Sequence, residues 1–357
     1  MPLNLSDTLV VGISATALFD LSEAAAVFNE KYAEDKDTAI AEYRKYMLAR
    51  ENDTLADGTG MRLVEALLAL NKYQKLGEPP LVEVVVMSRN SPETGVRVLN
   101  NIRRLGLPIS RHAFTGGESV VEYLDAFDVD LFLTTNAKDA QRVVDGGTCA
   151  VAIVKPPPTD TAPIPKDQVR IAFDGDAVLF DETSELVYKA QGLEGFHKNE
   201  DKQQDIPMGK GPYATLLVKL SHLQARLPFR VEYSPIRIAI VTARNAPAEL
   251  RVVKTLRQWG VYVNEIFFLG GVEKARVLKA FRPHIFFDDQ EVHLESAARV
   301  VPSGRVPYMT DSLLNQPPVL SPPIPEPAVA EEPRPPKNGG PALQALAADG
   351  ASVIKEA

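Results

Sequence analysis

The sequence predicts an α/β fold, with a parallel sheet covered by helices and the whole arrangement written twice in one chain. Three observations predict it. Short apolar runs of strand length alternate with longer amphipathic stretches at helical spacing. Residues 84–136 can be laid on residues 238–290. Several apolar runs end abruptly in polar or charged residues, as strands do at the ligand-binding edge of an open α/β sheet.

The elements follow in order. The first apolar stretch is LVVGISATALF (9–19). Residues 22–50 and 60–74 carry apolar residues at helical spacing among strong helix formers. The segment 84–136 reads strand, helix, strand, helix, strand, which predicts parallel pairing through crossovers. KPPPTDTAPIPK (155–166) reads as an extended linker between two halves, 1–154 and 167–315. The second half opens with IAFDGDAVLF (171–180), followed by an insert over about 182–235 that suits a small helical cap able to exclude water. The strand–helix alternation then repeats over 238–290. After about Leu314 the chain turns Pro-, Ala- and Glu-rich, and 316–357 is expected to be disordered.

Composition narrows the function classes. The 357 residues suffice for two cores. A net charge of −8 argues against nucleic acid and anionic membranes as partners. The single cysteine, Cys149, excludes an intrachain disulfide framework and fits a reducing compartment. No basic residue precedes the apolar stretch 9–19, the first being Lys31, so this is a poor signal peptide. A cytoplasmic location is expected. Oligomeric state stays open, a homo-oligomer included.

The repeat is informative where the copies differ. Arg89-Asn90 meets Arg244-Asn245, Gly106 meets Gly260, and Gly116-Gly117 meets Gly270-Gly271. Residues 9–20 likewise match 169–181, which sets Asp174 against Ile13 and Asp176 against Ala15. Lys274 faces Val120, and Asp288-Asp289 face Thr134-Thr135. Ser88 keeps a hydroxyl at the position of Thr242. The first half thus keeps a scaffold and lacks the charged set, so chemistry is expected only in the second.

That charged set suits phosphoryl transfer through an aspartyl phosphate with Mg²⁺. Asp174 is the candidate nucleophile and a metal ligand. Asp176, just past Gly175, is the candidate general acid and base. Thr242 and Lys274 would hold phosphoryl oxygens by hydrogen bond and charge. Asp288 and Asp289 would complete an oxygen-rich Mg²⁺ site. Taken singly, each has a plainer reading: a solvated turn for the DxD, a strand-end cap for Thr242, an exposed helix residue for Lys274, a helix N-cap for Asp288-Asp289. Their order within one α/β unit favours the site. In the first half, Ser88, Arg89, Thr115 and Gly116 are expected to contact substrate or an effector.

Other signals are weaker. MGKGPY (208–213) lacks the spacing of a phosphate loop. The five histidines show no zinc-ligand spacing; His284 and His293 read as structural or peripheral, and His197 and His222 as surface residues of the insert.

IAFDGDAVLFDE, IVTARN, GGVEKARVL and HIFFDD resemble, in order, the four motifs of the haloacid dehalogenase superfamily of Mg²⁺-dependent phosphotransferases. The longer stretches, including SRN…GVRVLNNI, TGGES with YLDAFDVDLFLTTN, and PMGKGPYATLL, are similar to the cytosolic 5′-nucleotidase I family over roughly residues 6–310. The resemblance implies a Rossmannoid parallel sheet with a cap insert. It implies hydrolysis of nucleoside 5′-monophosphates, with AMP, IMP and pyrimidine deoxynucleotides as substrates. It also implies Mg²⁺ held by Asp174, the backbone carbonyl of Asp176, and the adjacent Asp288 and Asp289. A phosphatase acting on a sugar phosphate, or a non-catalytic nucleotide sensor, remains as an alternative.

Overall fold

Among the described residues, ten strands form one sheet: β1 Leu9–Ile13, β2 Val82–Ser88, β3 Arg111–Phe114, β4 Leu131–Thr134, β5 Ala150–Val154, β6 Val169–Phe173, β7 Ile236–Thr242, β8 Glu265–Phe268, β9 Ile285–Asp288 and β10 Ser303–Arg305. The computed structural model describes residues 5–315, except 34, 161, 166 and 228–233. The expectation for 316–357 falls outside the described residues.

The strand order is β3-β2-β1-β4-β5-β10-β9-β6-β7-β8. Read from the centre outward, the two half-sheets have one order, β5-β4-β1-β2-β3 and β10-β9-β6-β7-β8. Within each half every pairing is parallel. The central β5–β10 pair is antiparallel, which the sequence reading did not anticipate. Two units of equal topology joined by equivalent edge strands meet antiparallel when a two-fold rotation relates them. Residues 155–160 run alongside this junction and are tied to it, since Lys155 N–H donates to Ser303 O and Asp160 N–H to Arg299 O, both at 2.9 Å.

The strands explain their own sequences. Parallel strands are covered on both faces, so they read as continuous apolar runs. β1 is buried throughout, and β6 and β7 are buried except at Arg170 and Arg237. One face carries a single core that includes Val11, Ile13, Phe173 and Phe287, and so spans both halves. The other face carries two separate clusters, one around Phe132 and Val143, one around Phe286 and Leu278. On the shared face, helix 61–68 of the first half packs against β6, and helix 214–226 of the second half packs against β1. The expected cap over 182–235 is therefore only partly a cap. Helix 214–226 buries Leu216, Leu217, Leu220 and Leu223 in the common core, and Lys219 pairs with Asp130 at 2.7 Å.

Backbone bonds recur between the halves. Gly58 N–H donates to Leu18 O and Gly211 N–H to Leu179 O; Gly60 N–H donates to Ala17 O and Tyr213 N–H to Val178 O, all at 2.9 Å. A side chain on Gly211 would run into the carbonyl oxygens of Val178 and Phe180. This explains MGKGPY without a phosphate: the glycine lets two backbone segments touch.

Strand register corrects one alignment. Ile13 pairs with Leu133 as Phe173 pairs with Phe287, so Ser14, not Ile13, stands opposite Asp174. The amide of the second residue of each opening strand also meets a side chain from the start of β4 or β9. Val10 N–H donates to Asp130 Oδ2 at 2.8 Å, and Arg170 N–H donates to His284 Nδ1 at 3.0 Å. His284 is thus structural, as expected, and only 4% exposed.

Burial pushes the His284 pKa down to about 4. Between the ordinary histidine value near 6.5 and this depressed one, the unfolded chain binds a proton that the folded chain refuses. Stability is therefore full above about pH 6.5 and falls as pH drops toward 4. Urea unfolding at pH 7.0 and pH 4.5 is expected to show about 2 kcal/mol more acid loss in the wild type than in His284→Asn. Equal losses would show that His284 does not carry this sensitivity.

Candidate active site

The site is built at the carboxyl ends of β6, β7 and β9 and the first turn of helix 274–281. β6 ends at Phe173, and Asp174 N–H donates to Phe287 O at 2.8 Å, which sets the Asp174 side chain at the strand tip. Its carboxylate also accepts the Gly175 N–H at 2.7 Å. Thr242 closes β7 and is buried. An added Cβ on Gly175 would stand 3.3 Å from Thr242 Oγ1, so a glycine here lets the two motifs approach. β9 delivers Asp288, and Asp289 follows it.

Lys274 joins these ends. Its ammonium lies 2.8 Å from Asp174 Oδ1 and 2.7 Å from Asp288 Oδ2, and its side chain is 3% exposed. The two carboxylates outweigh the desolvation of the lysine and hold its pKa above the ordinary value. Burial pushes the Asp174 carboxyl up to about 6, with Asp288 and Asp176 adding to the rise and Lys274 opposing it. Burial also acts on Asp288, but Lys274 and His293 hold it below the ordinary range. Asp289 is held well above that range, first by burial and then by the charges of Asp174 and Asp288.

The structure thus brings Asp174, Thr242, Lys274, Asp288 and Asp289 to one place, with Asp176 at its rim. The expectation for His293 needs correction. It lies on the first turn of helix 291–300, with Nδ1 3.4 Å from Asp288 Oδ2, and the donor atoms of Asp174, Asp288 and His293 lie within 4.8 Å of one another. His197 is likewise drawn inward, its Nε2 2.8 Å from Asn245 Oδ1.

Four expected residues are elsewhere. Ser88, Arg89, Thr115 and Gly116 sit at the ends of β2 and β3, and β2 is six places from β6 in the sheet, roughly 29 Å at the usual strand spacing. They do not line the Asp174 centre. Arg89 instead pairs with Asp139 at 2.5 Å, and Thr115 Oγ1 donates to Glu118 O at 2.6 Å. Around Ser14, the place of the charged set is taken by hydroxyls: Ser14 Oγ lies 3.0 Å from Thr16 Oγ1, which lies 2.6 Å from Thr135 Oγ1.

The sequence reading missed a second charged layer. Arg244 donates to both oxygens of Asp176, at 2.8 and 2.6 Å, and to Glu200 at 2.5 Å. Arg251 reaches the other Glu200 oxygen at 2.9 Å, which also accepts from Ser184 Oγ. Glu200 belongs to helix 183–202 of the insert and is fully buried. The repeated Arg-Asn pair marked Arg244 without assigning it a partner, and nothing in the sequence singled out Glu200.

The charges around Asp174 do not balance. Asp176 and Glu200 are matched by Arg244 and Arg251. Asp174, Asp288 and Asp289, when all ionised, are matched by Lys274 alone and would leave two negative charges buried, which is why Asp174 and Asp289 hold their protons more tightly than ordinary carboxyls. Asp288 is fully engaged, since its Oδ1 accepts Gln290 N–H at 2.9 Å and its Oδ2 faces Lys274. Asp289 Oδ2 accepts from Tyr308, while its Oδ1 is buried without a partner. An unpartnered buried carboxylate oxygen and a deficit of two positive charges fit a divalent cation with oxygen ligands.

Fold and site together define a mostly parallel α/β protein with a carboxylate–lysine centre at its strand ends. A family model described as 5′-nucleotidase matches residues 1–312. Human cytosolic 5′-nucleotidase 1B is 34% identical over 306 residues, covering 82% of this chain and 48% of the human protein. The chain belongs to the 5′-nucleotidase family. It spans about half the length of that curated relative. Among solved structures, histidinol dehydrogenase from Elizabethkingia anophelis aligns over 83% of this chain and 79% of its own, with 10% identity and a TM-score of 0.20, too low to carry any argument.

Breaking a buried ion pair by removing one partner is costly because the other charge stays buried. Glu200→Ala leaves Arg244 and Arg251 facing each other. It is expected to lower unfolding stability by about 3–5 kcal/mol in a denaturant titration. A loss below about 1 kcal/mol, the range of exposed pairs, would mean that the layer is open to water.

Proposed function

We propose that this chain hydrolyses nucleoside 5′-monophosphates to a nucleoside and phosphate through an aspartyl phosphate on Asp174. The observation that carries the reading is the Lys274 ammonium held between Asp174 and Asp288, beside Thr242, in a chain of the 5′-nucleotidase family. An Asp174 oxygen attacks phosphorus, the bond to the 5′ oxygen breaks, and Asp176 protonates that oxygen as the nucleoside leaves. Asp176 then takes a proton from water, whose oxygen attacks phosphorus and frees Asp174 and inorganic phosphate. Thr242 and Lys274 hold the phosphoryl oxygens. Arg244 occupies both Asp176 oxygens, so proton transfer through Asp176 requires that pair to loosen.

Asp174, the carbonyl of Asp176 and Asp289 would hold Mg²⁺, with Asp288 anchoring Lys274. When bound, the ion offsets the repulsion between carboxylate and phosphate. A cavity of about 380 Å³ beside Lys274 and His293, lined also by Ala243, Val272 and Glu273, offers room for the nucleoside. The reading takes residues 167–315 as a catalytic, haloacid-dehalogenase-like unit and 1–154 as a degenerate copy, supported by the common strand order and the recurrent backbone bonds. The word cytosolic in the human relative's name supports a cytoplasmic location. Among the described residues no helix is long and apolar enough to cross a membrane.

Phosphate release measured over nucleoside monophosphates and sugar phosphates, with Mg²⁺ or with EDTA, tests the proposal. Nucleotides are expected to be the best substrates, and EDTA to abolish turnover. Asp174→Asn is expected to lower kcat by at least about a hundredfold, a barrier increase of about 2.7 kcal/mol. Turnover of sugar phosphates alone would point to a different phosphatase, and full activity of Asp174→Asn would remove the nucleophile.

A further inference from the structure

The segment after β10 crosses the site, although no motif marked it. Val306 N–H donates to Asp288 O at 2.9 Å, which starts the segment along the end of β9. Two residues on, the Tyr308 hydroxyl donates to Asp289 Oδ2 at 2.5 Å. The backbone around Tyr308 is held by the first half. Gln141 Nε2 donates to Tyr308 O at 2.9 Å, and Thr310 donates its N–H and its hydroxyl to the two oxygens of Asp145, each at 2.7 Å. Gln141 and Asp145 both belong to helix 137–146. Beyond them Ser312 Oγ donates to Glu182, at the entry to the insert.

We propose that Tyr308 is a positioning residue for the cation site, held in place by the first half of the chain. Its hydrogen bond fixes one Asp289 oxygen, so that the other, buried and unpartnered, would be left to hold the cation. The outer partner of a ligating carboxylate sets its orientation, and its loss weakens metal binding. The inference rests on the reading that Asp289 ligates the ion. It gives the first half a part in the site without direct contact: helix 137–146 carries the strap, and the strap carries the tyrosine.

The test uses the full chain and Mn²⁺ as the probe, with free Mn²⁺ followed by electron paramagnetic resonance and a melting temperature measured without metal. Asp289→Asn is expected to weaken Mn²⁺ binding most. Tyr308→Phe keeps the ring and is expected to raise the Mn²⁺ dissociation constant about tenfold or more at an unchanged melting temperature. Its kcat should recover at saturating Mn²⁺. Asp145→Ala, at an exposed position that bonds Thr310 and not Asp289, is expected to weaken binding in the same direction by a smaller factor. The double variant Asp145→Ala/Tyr308→Phe should bind no worse than Tyr308→Phe alone, because both changes act through one hydrogen bond. If Asp289→Asn loses Mn²⁺ while Tyr308→Phe stays within about twofold of wild type, the inference falls and the metal-site reading stands. If Asp289→Asn binds normally, both fall. Additive effects of Asp145→Ala and Tyr308→Phe would overturn the role of the first half.

Discussion

The buried ammonium of Lys274 is the contact on which the rest of this centre depends. A lysine and two aspartates out of water are tolerable only with short, well-aligned pairing, because desolvation of each ion costs several kcal/mol. The pairing here needs β6, β9 and the start of helix 274–281 to meet within ångströms. A parallel sheet supplies that meeting, since the carboxyl ends of neighbouring strands stand side by side. Asp174 and Asp288 end adjacent strands, and Lys274 begins the helix that leads from β8 into β9.

Around this centre stands a second charged layer whose partners come from outside the sheet. Glu200, from the insert, matches Arg244 and Arg251, and Arg244 in turn holds Asp176. The insert is therefore joined to Asp176 through a chain of ion pairs. Moving helix 183–202 without Arg244 and Arg251 would strand Glu200 as a buried anion. Any rearrangement that frees Asp176 to donate a proton has to keep that balance.

The two half-sheets share their backbone arrangement and differ in their charged side chains. Strand order, the Gly58 and Gly211 close approaches, and the capped amides of Val10 and Arg170 are common to both. These satisfy backbone donors and packing, which every such sheet requires. Where the second half has Asp174, Lys274 and Asp288-Asp289, the first has Ser14, Val120 and Thr134-Thr135. Hydroxyls and an apolar side chain carry no charge, so these positions of the first half need no counter-ion.

The sequence by itself determined the strands, the repeat and the ordered carboxylates, threonine and lysine. Continuous apolar runs mark strands covered on both faces, and a charge at the end of such a run is too costly to be accidental. Contacts between residues distant in sequence were decided only by the tertiary structure. His293 became part of the site because Asp288 and the helix after it fold back within reach, which spacing alone does not reveal. Ser88, Arg89, Thr115 and Gly116 were read as contacts to a substrate or an effector; the central antiparallel β5–β10 pair sets their strands across the sheet from Asp174, which bears on a direct contact at that centre and not on an effector. Arg244 with Glu200, and Tyr308 with Asp289, join segments 44 and 19 residues apart. A buried polar side chain finds its partner in space, and local sequence carries little trace of which partner it will be.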